Sequence, residues 1–369
     1  MIYLRPEDLE TFARDLLTAA GAREQDAAIQ ARQLLWASLR GHDTHGVGHL
    51  PLYAMMYLGE DPFGVGLPPV NTAGSWEVLR ESVSTAAIDG KGCPGQVVTY
   101  RAAELAIQKA HETGVGAVTV SNMTHNGSLG YYAEMAADAD CLGIVLTNSG
   151  AMSPPFGGAE RMLGTNPVAI AVPGNEEGPL VVDMATTAIS IFGALGFAGS
   201  GQAFPPRTVL NDDGDFTSNT SEFALGRGTD PKGSLANLSG DHKGYAIQLA
   251  IEMIAGLLAG RCTGNDAIAT TYVSTFVLAL HVPAFQDRSE FLDSVDVRLR
   301  AIRASRKSQE NGEVLIPGDR GLRTEAVRRQ TGIPINDQYW APMEALAAKL
   351  GVALPQVLDG SEVAKVSAS

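Results

Sequence analysis

Residues Val115–Asn148 read VGAVTVSNMTHNGSLGYYAEMAADADCLGIVLTN. The β-branched run VGAVTV (Val115–Val120) predicts a strand, Tyr131–Asp138 a helix, and GIVLTN (Gly143–Asn148) a second strand. A polar, glycine-bearing loop joins the first strand to the helix, and this order sets an α/β class. Upstream, SVSTAAID (Ser82–Asp89) predicts another strand and Val98–Thr113 a helix. Downstream, VAIAVP and PLVVDMA predict two short strands. The segment 192–240 is rich in Gly, Pro, Asn and Asp and reads as a long loop. KGYAIQLAIEMIAGLLAG (Lys243–Gly260) reads as a buried helix and STFVLALHV (Ser274–Val282) as a strand.

The ends differ from this middle. Leu9, Phe12, Ala13, Leu16 and Leu17 repeat at helical spacing after Pro6, and Gly21 stops that helix. A second helix is expected over 24–38 and a short third one carrying Leu50, Tyr53, Ala54 and Tyr57. Residues 287–350 return to helix, with a break at LIPGDRG (Leu315–Gly321). The expected organisation is a helical segment at 1–80, an α/β unit at 81–285, and a helical segment at 286–369 that packs with the first.

Composition narrows the function. The chain has 369 residues with 27 Lys plus Arg against 41 Asp plus Glu, a net charge of −14. So acidic a surface disfavours a phosphate backbone as partner. Cys93, Cys141 and Cys262 are dispersed and odd in number, against a disulfide scaffold or a Cys-x-x-Cys zinc site. No apolar run has the length of a membrane span and no apolar signal core opens the chain, so a soluble cytoplasmic protein is expected.

Three of seven histidines fall in His42-Asp43-Thr44-His45-Gly46-Val47-Gly48-His49. Spacings of three and four would align them on one helical face, as a metal site for a hydrolase requires. The flanking glycines argue against a continuous helix. Two other readings stand: a solvated loop with capping residues, and an acid–base histidine, His45, oriented by the Thr44 hydroxyl. His125 lies in the loop after VGAVTV, where α/β sheets place ligand contacts. Gly90-Lys91-Gly92-Cys93-Pro94-Gly95 fits a dinucleotide fingerprint, but Pro94 removes a donor and no acidic residue ends a second strand. Asp183 closes a strand, as a site residue or a helix cap. Lys243 beside Gly244 at a helix start opposes the dipole and hints at a phosphate ligand. Neither G-x-S-x-G nor a Walker A motif is present.

RGHDTHGV, SNMTHNGSLGYY, TNSGAMSPPFGGAERMLGTNPVAIAVP, VVDMATT, HKGYAIQLAIEMIAGLL and IPGDR occur in this order over nearly the whole chain. Together they resemble the malate/L-lactate dehydrogenase family of the sulfolactate dehydrogenase type. The resemblance implies an NAD(P)-dependent oxidoreductase acting on a small 2-hydroxy/2-oxo acid or a related cyclic imine carboxylate. It also implies a homodimer and an α/β fold that is not a Rossmann fold, its cofactor held on a largely antiparallel sheet. GKGCPG would then be a structural turn. Carried over, His45 is the acid–base group, assisted by Thr44 or Asp183, and His125 stands where other members assign a base. Cofactor contacts fall on Ser149, Asp183, Met184, Ala185, Lys243, Gly244, Gly318, Asp319 and Arg320. Substrate contacts fall on His49, Thr165 and Asn166, and no metal is implied. The sequence departs from the family at Thr44 for Ser, His49 for Arg and Ala194 for Lys. The two missing cations favour an altered substrate, or a catalytically reduced binding homologue.

Overall fold

The computed structural model describes residues 1–61, 69–225, 231–260, 272–308 and 312–358; Cys262 and the tail beyond 358 lie outside them. The chain opens with β1 (Ile2–Leu4), α1 (Pro6–Ala19), α2 (Glu24–Leu39) and α3 (Leu50–Tyr57). The middle runs β2 (Glu77–Glu81), β3 (Thr85–Asp89), α4 (Gly95–Thr113), β4 (Val115–Met123), α5 (Gly130–Asp138), β5 (Cys141–Thr147), β6 (Val168–Val172) and β7 (Leu180–Met184). It continues through α6 (Ile191–Ser200), β8 (Val209–Leu210), β9 (Ser234–Leu235), α7 (His242–Ile251) and β10 (Val273–His281). The chain then forms α8 (Arg288–Arg303), α9 (Asp319–Thr331), β11 (Ile333–Ile335) and α10 (Asp337–Leu350).

Seven strands form one sheet in the order β2-β3-β4-β10-β5-β6-β7. Among the described residues only β3 and β4 pair in parallel; the other neighbouring pairs of this sheet are antiparallel. α4 and α5 cover one face, where Ala102, Ala106, Tyr132, Ala133, Val118, Val145 and Val277 share a core. Small residues let these helices lie close. A Cβ on Gly116 would sit 1.8 Å from the Ala106 carbonyl oxygen.

Both chain ends contribute to a second core. Leu9, Leu16, Leu34, Leu50 and Tyr53 pack with Ile333, Trp340, Met343 and Leu346, and β1 pairs antiparallel with β11. Arg40, the C-cap of α2, links the two layers: it binds Glu134 of α5 at 2.7 Å on the sheet side and Glu325 of α9 at 3.0 Å on the helical side.

Two expectations are corrected. The segment 192–240 is not one long loop. Its first residues continue α6, capped by the Ser190 hydroxyl, which accepts from the Gly193 amide. Phe197, Ala194 and Leu195 pack with Phe204, Phe223 and the β8–β9 pair in a small core of their own. Glycine content hid a helix whose residues are otherwise apolar. Nor is Lys243–Gly260 a buried helix. α7 passes into a π-helical turn at Glu252–Leu257, and Ile247, Met253, Ile254, Leu257 and Leu258 are exposed. Only one side packs on the sheet, through Ile251 and Ala255 against Leu146.

The GKGCPG segment is a turn into α4. Lys91 and Gly92 have positive φ, and the Gly90 amide donates to the Ser121 carbonyl. A Cβ on Gly95 would meet the Thr124 carbonyl oxygen at 2.0 Å. That glycine serves close packing of helix and loop.

Candidate active site

A cavity of about 750 Å³ opens where the loop after β4, the ends of β5 and β7, the start of α6 and the 41–45 turn converge. That volume suits a small-molecule ligand. His42, Thr44, His45, His125, Ser149, Thr165, Asp183, Met184, Ala185, Phe192 and Arg161 are among its lining residues. Among the described residues, Arg161 is the one Lys or Arg on that lining.

The histidine segment is a turn followed by a short 3₁₀ stretch, Val47–His49, and not one helix. Close packing sets it: the Val47 amide donates to the Ser38 hydroxyl at 2.9 Å, and a Cβ on Gly46 would lie 2.2 Å from that oxygen. Arg328 of α9 holds the segment from outside through Asp43, at 2.6 Å. His42, His45 and His49 therefore do not share a helical face. Among the described residues, no group of three His, Cys, Asp or Glu side chains is placed to hold a metal ion.

His45 and His125 instead face each other as stacked rings, centroids 5.8 Å apart. The Thr44 hydroxyl lies 3.1 Å from His45 Nδ1. Burial lowers the His45 pKa; the nearby Asp183 carboxylate opposes that and His42 adds to it. Asp183 does not hydrogen-bond His45. Its Oδ2 accepts from the Ser128 hydroxyl at 2.6 Å and from the Gly130 amide at 2.8 Å. It thereby satisfies an open amide at the start of α5. Ser128 Oγ lies 3.3 Å from His42 Nδ1. Because the serine proton goes to Asp183, His42 donates to Ser128.

His125 Nδ1 lies 2.7 Å from the Tyr53 hydroxyl and accepts from the Gly127 amide at 3.3 Å. Burial, then His45, pushes the His125 pKa down to about 3.

Two expected substrate residues are placed behind the wall. His49 is buried, with the Phe192 ring edge-on at 4.3 Å between centroids. Among the described residues neither of its ring nitrogens meets a hydrogen-bond partner, and burial, then His125 and His45, lowers its pKa far below the usual range. Asn166 is fully buried. Its amide donates to the Gln248 carbonyl and to Glu252 at 2.5 Å, and its oxygen accepts from the Ser149 amide at 3.2 Å. It fixes the loop that carries Ser149 and does not reach the cavity. Thr165 does, 3.2 Å from the Ser149 hydroxyl.

Ser149, Asp183, Met184 and Ala185 are brought together at the cavity. Lys243, Gly244, Gly318, Asp319 and Arg320 are not on its lining. The Lys243 amide donates to Asp241, the cap of α7, so the helix start is served by that carboxylate; the Lys243 ammonium is exposed. Gly318 has φ +100 and lies beside the Val181 backbone of β7. Asp319 accepts from Arg303 at 2.7 Å, and Arg320 is exposed.

Sequence reasoning missed Tyr53, Ser128, Phe192 and Arg161 as site residues. Tyr53 showed only as an inward helical position. Ser128 sat in the loop already singled out by its glycines. Phe192 and Arg161 gave no signal, since each reaches the site through contacts distant in sequence.

A histidine-centred cavity at the edge of a seven-stranded, mostly antiparallel sheet, fastened to a helical unit made from both chain ends, defines an α/β enzyme class. The profile of malate/L-lactate dehydrogenases matches residues 4–344. The chain belongs to that family. It is 36% identical to a malate dehydrogenase of Pyrococcus horikoshii over 95% of this chain and 96% of that protein. It is 34% identical to an L-sulfolactate dehydrogenase of Methanothermobacter thermautotrophicus, covering 95% and 98% of the two chains. A malate dehydrogenase structure from Entamoeba histolytica superposes with a TM-score of 0.88 at 28% identity, over 96% and 99% of the chains.

Proposed function

We propose that this chain transfers a hydride between NAD or NADP and a small 2-hydroxy/2-oxo acid, or a related cyclic imine carboxylate. The observation that carries this reading is the placement of His45: at the cavity, tied to Thr44 through Nδ1, with Asp183 near enough to oppose its desolvation. Relatives named for malate, L-sulfolactate and L-lactate support the substrate class.

The cavity suits a nicotinamide. Met152, Ile191, Phe192, Leu195 and Val273 give it an apolar wall, and Ser149, Thr165 and the segment Asp183–Ala185 supply polar groups. Ser149 is held by two hydrogen bonds: its amide donates to Asn166 and its hydroxyl accepts from the Thr165 amide at 2.9 Å. When bound, the nicotinamide would take the hydride in oxidation and give it in reduction, and the protein supplies orientation and proton transfer. In oxidation, neutral His45 takes the hydroxyl proton at Nε2 while Thr44 fixes the ring through Nδ1. In reduction, protonated His45 returns that proton to oxygen, or to nitrogen of an imine. Arg161 contributes positive charge for an anionic ligand, its fork steadied by the carbonyls of Gly233 and Ala224. Lys243, Gly244 and Gly318–Arg320 enter the cofactor proposal on the family resemblance alone.

We further propose a cytoplasmic homodimer in which a second copy covers Ile247, Met253, Ile254, Leu257 and Leu258, an exposed apolar stripe of the kind that marks an interface. Light scattering should return twice the 38.7 kDa of one chain.

The test is a titration with NADH and NADPH, followed by a panel of 2-oxo acids and cyclic imines read by nicotinamide absorbance. Turnover on a member of the panel is expected. Cofactor binding without turnover on any member would favour a reduced homologue, and activity lost only on chelation would favour a metallohydrolase.

A further inference from the structure

His125 has been set beside His45 as a second candidate for proton abstraction. Its bonding is incompatible with that role. A backbone amide can only donate, so the Gly127 N–H pointing at Nδ1 requires that nitrogen to hold a lone pair. Tyr53 then donates its hydroxyl proton to the same nitrogen, at 2.7 Å. Tyr53 is buried, and burial pushes its ionisation well above the usual range, so the hydroxyl stays protonated. With Nδ1 an acceptor, the proton of neutral His125 sits on Nε2. Among the described residues none hydrogen-bonds to Nε2, and the ring lines the cavity.

We infer that His125 is a fixed hydrogen-bond donor, its Nε2–H offered to a substrate oxygen at the reacting end of the cavity, with Tyr53 as the positioning residue that sets the tautomer. This rests on the proposed hydride transfer for the identity of the substrate, a 2-oxo acid or its hydroxy form; the tautomer itself does not. Nδ1 has no room for a second proton while Gly127 and Tyr53 point at it, and Nε2 is already protonated, so the residue cannot act as a base. The groups facing it agree. His45 stacks on it at 5.8 Å and disfavours a positive charge there, the His49 ring lies at 6.5 Å, and Tyr53 of α3 is neutral. The division of labour follows: His45 moves the proton, and His125 polarises the oxygen to which the proton goes, as a preorganised donor does for a developing oxyanion.

The experiment has two arms, both on the full-length chain. The first is nitrogen NMR of the ¹⁵N-histidine-labelled protein, with the His125 signal assigned by its loss in His125→Gln. The expected result is a single Nε2–H tautomer that does not titrate between about pH 5 and 9, and a mixture of tautomers in Tyr53→Phe. An Nδ1–H tautomer, or titration within that window, overturns the inference, whether or not the enzyme turns over. The second arm is kinetic. His125→Gln keeps an N–H donor but cannot exchange a proton, and should stay within about tenfold of wild-type kcat, while His125→Ala loses roughly 10²–10³-fold. A glutamine variant that folds, binds cofactor and is as slow as the alanine variant, with the acidic limb of its pH profile gone, identifies a base instead. Absence of turnover in the wild-type protein on every substrate tried, with the Nε2–H tautomer seen, removes the functional reading and leaves the tautomer assignment standing.

Discussion

Asp183 shows how one carboxylate can organise a site without touching the reacting group. Its Oδ2 fixes Ser128 and the start of α5, and its charge raises the His45 pKa that burial lowers. Asp183→Asn keeps a carbonyl oxygen for both hydrogen bonds and removes the charge. The His45 pKa should then fall further, and the acidic limb of kcat/KM for the oxidation direction should move to lower pH. A limb that stays in place would place the titrating group elsewhere. The histidines were legible in the sequence because three of them fall within eight residues. Their division into a cavity-facing His45, a serine-bonded His42 and a buried His49 was not. It depends on Ser128, Phe192 and Ser38, which meet them only through the folded chain. The same holds for Tyr53, which reaches His125 across 72 positions.

At the scale of elements, helices with clear apolar periodicity and the β-branched strands were readable, and the failures have a physical pattern. α6 was hidden by Gly193, Gly196 and Gly199, whose helix propensity is poor; its Ser190 cap and its packing on Phe204 and Phe223 offset that cost. Ser190→Ala removes the cap and should destabilise α6 by about 0.5–2 kcal/mol. Because Ile191, Phe192 and Leu195 line the cavity, the loss should appear as faster amide exchange over 191–200 and weaker cofactor binding. Unaltered exchange there would show that packing alone holds the helix. α7 failed in the other direction: its apolar run read as buried, whereas the fold buries Gln248 and Glu252 and leaves Ile247, Met253 and Leu257 exposed.

Across the whole molecule, two cores meet at the site. The N-terminal segment supplies His45, from the turn after α2, and Tyr53, from α3; the sheet unit supplies His125 and Asp183. His45, His49 and His125 all have pKa values below that of an unfolded histidine, about 6.5. Below that value the unfolded chain binds more protons, so stability is complete above about pH 6.5 and falls as the pH drops toward the folded-state values. Each histidine contributes a slope of about 1.4 kcal/mol per pH unit over its own window, which for His125 extends to about 3. Denaturant unfolding between pH 7 and 5 should show this loss, reduced in His125→Gln; a flat profile would contradict the buried, neutral cluster. The claim on which the functional account turns is that His45 exchanges the proton. The most direct measurement is the kcat of His45→Ala on an active substrate, with NADH and NADPH titrated into the same protein. The account predicts a fall of roughly 10²–10⁴-fold with cofactor affinity intact. Full turnover in that variant would contradict it.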